Sequence, residues 1–361
     1  MLSDALPLYP LYALLFTDTG LGDGQISLLF ALWAGVGLLA EVPTGALADR
    51  FSRRGALFAA GVSQAVAFAL WTAAPGIWVF AAGFVVWGIG GALSSGALEA
   101  LLYDGLAAAG AEDRYARVSG QVDAAGLIAQ IPAAGAAVVL FPLGGYALVG
   151  WVSVGICLCA ALLALRLDAP EQTAPDEPRG YFATLADGIG QAARVPVVRT
   201  AVLTLAGLAG LDAIDEYFPI LAADWHVPIG LNPLVTLVVT LGGAAGAGLV
   251  AYTRTPGASV QVGLLAGAAA ALAVAGVLRL PAGIVLVALF YGLYRYVLVL
   301  VDARLQQVIE GASRATVTSV AALATEVSAL ALFGAWAAGG VLLVAALTLL
   351  LAAAPLVGGR R

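Results

Sequence analysis

Eight ionisable residues fall inside stretches that are otherwise apolar: Glu41, Glu99, Asp123, Asp212, Asp215, Glu216, Arg295 and Glu326. A charge in hydrocarbon costs at least ~2.5 kcal/mol on insertion scales, so such residues face a cavity or a partner. The chemistry open to them is proton transfer and recognition of ions. Arg295 precedes Arg304 by nine residues and Glu326 follows Arg314 by twelve. At ~1.5 Å per residue both lie near mid-membrane on consecutive antiparallel spans. A buried ion pair is the simplest arrangement, serving either structure alone or substrate and proton coupling. Tyr291, Tyr294 and Tyr296 flank Arg295, either as a surface on which an organic cation could stack or as plain packing.

Glu99 and Asp123 are predicted at matched depth but carry like charge. If they meet, one of the two holds its proton toward neutral pH, as proton coupling requires; if they face different ways, they do not interact. Asp212 and Glu216 are four apart on one helical face, with Asp215 beside them. They form an acidic mouth for cations or protons, unless the span ends early and leaves them in water. His226, the one histidine, follows Trp225 and reads as an ordinary loop residue. Cys157 and Cys159 point to different faces of one helix and read as ordinary buried cysteines rather than a redox pair or metal site.

The elements that must position these residues are legible in composition. The chain has 361 residues, 62 % hydrophobic and 11 % charged, with a mean hydropathy of +0.99. Those values exclude a soluble globular domain and indicate an integral membrane protein. Splitting at polar and Gly/Pro breaks gives apolar runs at 5–22, 25–48, 55–74, 76–103, 118–141 and 144–166. Six more follow at 197–222, 229–251, 257–280, 282–303, 315–337 and 339–357. The first run is short, and the N-terminus lacks the basic region and cleavage site of a signal peptide.

Every basic side chain of the sixteen is arginine, which fits a GC-rich bacterial genome. With the loop at 49–54 in the cytoplasm, all but Arg279 and Arg295 fall on the cytoplasmic side. The positive-inside rule then places both termini there. Residues 167–196 form the one long connection: an acidic, proline-rich linker through Pro178, then Tyr181, Phe182, Leu185 and Ile189 at the spacing of a short amphipathic helix. It separates an N-terminal bundle, 1–166, from a C-terminal bundle, 197–361. The halves echo each other: Leu102-Tyr103-Asp104 with Arg117 recurs as Leu300-Val301-Asp302 with Arg314, which makes them parallel repeats.

Gly45, Asp49, Arg50, Arg53 and Arg54, set between the second and third runs, resemble the loop signature of the major facilitator superfamily. Ser52 stands where that family usually has glycine. The resemblance covers about residues 5–357. It implies an all-α integral membrane protein with twelve transmembrane helices in two six-helix bundles. It also implies that spans three, six, nine and twelve are peripheral, and those spans carry no interior charge here. Carried over from the family, Asp49 approaches the start of the eleventh span, and Arg53 pairs with an acid at the end of the fourth, where Asp104 is available. Together they would latch the two halves.

The expected function is secondary transport by alternating access, as proton-coupled export of small amphipathic or cationic organic compounds. The alternative is proton-coupled import of a small metabolite, because Ile131-Pro132-Ala-Ala-Gly135-Ala136 matches an exporter motif of the fifth span only at its proline and one glycine. A non-transporting sensor is a third reading. No P-loop, paired histidines or cofactor fingerprint points to an enzyme. The expected partners are a small-molecule substrate, protons and the lipid bilayer, with no cofactor, no metal and no nucleic acid. The protein is expected as a monomer in the bacterial inner membrane.

Overall fold

The computed structural model describes residues 4–50, 53–111, 114–167, 196–308 and 314–353. Among these there is no strand. A 3-10 turn, Tyr9–Leu11, leads into α1 (Tyr12–Asp18). Then come α2 (Asp23–Arg50), α3 (Arg53–Ala73), α4 (Ile77–Ala108) and α5 (Tyr115–Ala164). The second half holds α6 (Pro196–Gly210), a 3-10 segment Leu211–Tyr217 and α7 (Phe218–Asp224). It continues with α8 (Asn232–Leu249), α9 (Ala258–Leu278), α10 (Gly283–Val308) and α11 (Arg314–Ala353).

Eight helices among the described residues are long and apolar enough to cross a membrane. Two of them, α5 and α11, each supply two crossings, because each doubles back at a glycine pair. In α5 the break is at Gly144 and Gly145, the latter at φ 57°, ψ −154°. In α11 it is at Gly340, at φ 59°, ψ −152°. That region of backbone space is open essentially to glycine alone. The preceding glycine is equally constrained: a Cβ at Gly144 would stand 2.6 Å from Leu148 Cβ, and one at Gly339 2.8 Å from Leu343 Cβ. Antiparallel packing on α3 confirms the reversal in the first case, with Gly61 against Ala161 and Gly150 against Thr72. In the second, Gly207 and Gly210, one turn of α6, meet Leu351 and Ser328 from the two arms of α11. With α1 and the broken span from α6 to α7, the described residues supply twelve spans in two bundles of six.

The chain divides into two compact units, residues 1–176 with 228–234 and residues 177–227 with 235–361. The predicted linker and its amphipathic helix lie outside the described residues over 168–195.

The first unit is built around aromatic rings. Tyr12 and Phe16 of α1, Phe30 of α2, Phe68 and Trp71 of α3, and Phe80 and Phe84 of α4 are all essentially inaccessible. Their rings meet mostly edge to face or tilted at centroid distances of 4.2–6.4 Å, the geometry that the quadrupole of an aromatic ring favours. Gly83 makes room for Trp71, whose Nε1 donates to the Phe80 carbonyl at 3.2 Å. The second unit depends on small residues instead. Gly242 and Gly246 of α8 face Ala288 and Gly292 of α10 so closely that any Cβ would collide with backbone. In lipid, where apolar surface alone does not drive helices together, such close approach is a main source of association.

Candidate functional site

The seventh span changes winding where its charges begin. After Gly210 the α-helix gives way to seven residues of 3-10 helix, longer than such runs usually persist. At three residues per turn, Asp212 aligns with Asp215, not with Glu216 as an α-helix would have it. Glu216 is buried, at 6 % exposure, and Asp215 is partly buried. Of the three carboxylates predicted to form an acidic mouth, Glu216 is thus buried, while Asp212 keeps 41 % exposure.

Asp212 is instead bound to the tenth span. Arg295 Nη1 donates to Asp212 Oδ2 at 2.7 Å, and Tyr291 OH donates to Asp212 Oδ1 at 2.8 Å. Tyr291 and Arg295 are four apart on α10, so one helical face presents both donors to one carboxylate. Gly243 of α8 makes this possible: a side chain there would strike the Tyr291 ring and stand 3.3 Å from Arg295 Cγ. The guanidinium carbon also lies 6.0 Å from the Tyr291 ring centroid. Both charged side chains keep partial exposure, 33 % for Arg295 and 41 % for Asp212. The ion pair that Arg295 forms is thus with Asp212, where depth along the chain pointed to Glu326. Counting residues fixes height in the membrane but not which neighbour the face of a helix meets. Glu326 is exposed on the first arm of α11.

Of the three tyrosines, Tyr291 and Tyr294 meet at a ring-centroid distance of 5.8 Å. Tyr294 is fully buried and donates to the Leu208 carbonyl at 2.8 Å, just before the change of winding. Tyr296 points elsewhere and shares a 2.8 Å hydrogen bond with Thr253. On the other side of α6, an open apolar cleft of about 350 Å³ is lined by Leu203, Ala206, Val320, Leu323 and Val327.

In the first unit, Arg53 at the start of α3 is ion-paired with Asp104 near the end of α4, and its Nη1 also donates to the Ala100 carbonyl at 3.0 Å. Arg54 reaches the Leu167 carbonyl at the end of α5, 3.3 Å away. Gly45, Asp49 and Arg50 occupy the last turns of α2; their side chains, with those of Glu41 and Asp123, lie outside the described residues. The proposed meeting of Glu99 with Asp123 lies outside them for the same reason. Glu99 itself is exposed.

Two six-span units that hold charged side chains within their spans make this a multi-pass membrane protein. The chain belongs to the Major Facilitator Superfamily, whose family model matches residues 1–344. No curated protein matches it. Among solved structures, it is similar to the nucleoside transporter NupG at 11 % identity and a TM-score of 0.73, covering 98 % of this chain and 95 % of that one. It is similar also to a bacterial homolog of the human lysosomal transporter Spinster in an inward-facing, unoccupied conformation, at 14 % identity and a TM-score of 0.69, covering 95 % and 78 %. A D-xylose-proton symporter matches at 16 % identity and a TM-score of 0.67, covering 98 % and 94 %. Likeness at these identities concerns the fold.

Proposed function

We propose that this protein is a proton-coupled secondary transporter that exports small amphipathic or cationic organic compounds by alternating access, with Asp212, Arg295 and Tyr291 at its substrate site. The observation that carries the reading is the Asp212–Arg295 pair: two charges inside spans, bonded to each other and still partly exposed. Charges at that depth are retained where they line a watery path. A cation arriving at Asp212 competes with the guanidinium, and a proton on Asp212 releases it. Either event changes the link between the seventh and tenth spans. The apolar cleft on the opposite side of α6 gives the same span a surface for the hydrophobic part of a substrate. In this reading Arg53–Asp104 belongs to the latch with Asp49, and the protein works as a monomer in the bacterial cytoplasmic membrane. The arginine distribution supports cytoplasmic termini.

Inverted vesicles acidified inside, with a quenched pH dye, test this reading. Dequenching on addition of amphipathic cations, lost in Asp212→Asn, is the expected result. Silence toward every cation, with proton movement on addition of sugars, nucleosides or peptides, would replace export by import of a metabolite.

A further inference from the structure

In the second unit an arginine and an aspartate face each other across two spans, and both keep open bonding positions. Arg295 Nη1 donates to Asp212 Oδ2 at 2.7 Å, while Tyr291 OH donates to Asp212 Oδ1 at 2.8 Å. A guanidinium carries several N–H donors in a planar fork. Among the described residues Asp212 is its acceptor, and none of its nitrogens is buried without a partner. The rest of the fork therefore opens where the Arg295 side chain keeps its 33 % exposure. Each charged group also has a support besides the other. Tyr291 holds the carboxylate, and its ring lies 6.0 Å from the guanidinium carbon, so Arg295 keeps a resting place when the pair opens. Phe218 backs that ring edge to face at 5.2 Å, and Gly243 supplies the bare backbone against which Tyr291 and Arg295 lie.

We propose that this pair is a clamp for a zwitterion, taking the ligand's ammonium at Asp212 and its carboxylate at Arg295. A cation that displaces the guanidinium leaves Arg295 without a counter-charge inside a span, and an anion that captures Arg295 strands Asp212 in the same way. An uncompensated charge at that depth is the costly state. A ligand that carries both signs exchanges one ion pair for two and strands neither residue. Because the partners stand only 2.7 Å apart before they separate, the ligand's two charges must be a few bonds apart, as in an amino acid. The fork of Arg295 suits a carboxylate, which it can grip with two parallel bonds. Asp215, one 3-10 turn beyond Asp212 on the same face, supplements the ammonium side. The carboxylate side depends on Arg295, the one arginine within these spans, and Glu216 is buried out of the ligand's reach. This assignment rests on the transport reading and narrows its amphipathic or cationic compounds to those that carry both charges.

Compounds that share an apolar group and differ in charge provide the test: phenylalanine, phenethylamine and hydrocinnamate, with leucine, isoamylamine and isocaproate as a second set. Binding to the whole purified protein would be measured by titration calorimetry at about pH 7, where the amines and carboxyls of both sets are ionised. The expected result is that at least one amino acid binds at least about tenfold more tightly than either of its singly charged relatives. In Arg295→Gln the advantage over the amine should vanish, and in Asp212→Asn the advantage over the acid. Each comparison is between ligands on one protein, so a general loss of stability does not imitate it. Amines or acids that bind the wild type as tightly as their amino acids, or no binding of any of these compounds to folded wild type, overturns the proposal. In vesicles, amines that drive proton movement with no advantage for the amino acids would overturn this inference and leave the transport reading standing. Amino acids that bind with the expected preference yet move nothing would overturn the transport reading alone.

Discussion

Asp212 and Arg295 lie 2.7 Å apart across two spans that are far apart in the chain. A charge pair of this kind costs more to break than to replace, since removing one partner leaves the other uncompensated. Arg295→Gln and Asp212→Asn, made singly, are expected to lower the thermal midpoint in detergent and to abolish most transport. The double variant, which has no charge to compensate, is expected to recover the midpoint without the activity. If it regains transport as well, the pair serves structure alone.

The Arg53–Asp104 pair proposed for the latch allows a second prediction. Arg53 and Asp104 are only partly buried, so their contribution to stability is about 1 kcal/mol or less. Asp104→Asn should therefore change the unfolding midpoint little while reducing transport by up to about fivefold, the amount set by a bias of ~1 kcal/mol between conformations. Transport at wild-type rates in Asp104→Asn would remove this pair from the mechanism.

The two glycine turns are expected to respond alike. Gly145→Ala and Gly340→Ala each force a side chain into backbone space that costs about 1–3 kcal/mol. Thermal unfolding of each variant should show losses of similar size. A loss at one position and none at the other would mean the two turns are not equivalent.

Gly83→Ala tests the aromatic core. The new methyl would overlap the Trp71 indole, which must shift and loosen its bond to the Phe80 carbonyl. The expected cost is about 1–3 kcal/mol, as for overpacking generally, together with a change in tryptophan fluorescence. An unchanged spectrum and midpoint would show that the ring can move without penalty.

Much of the fold was legible because lipid demands apolar runs of a set length, and glycine and arginine punctuate them. The runs at 118–141 and 144–166 meet at the turn observed at Gly144–Gly145, and those at 315–337 and 339–357 meet at Gly339–Gly340. A further sign of the repeat is Gly-Gly-x-x-Leu, at 144–148 and again at 339–343. The site was harder to read, for physical reasons. Residue counting assumed α-helical winding, which fails at Leu211–Tyr217 and so misassigns the companion of Asp212. No periodicity tells which face of α10 meets α6 when nearly every position is apolar.

The paired glycines bear on how the chain enters the bilayer. Each hairpin turns within two residues, so there is no loop between its arms to be carried across the membrane. Two apolar arms joined in this way can partition into lipid together, with no polar segment to be dehydrated on the way. Insertion of these spans is then limited by the arrival of the second arm, and a loop engineered between Gly144 and Gly145 would add a translocation step where the native chain has none.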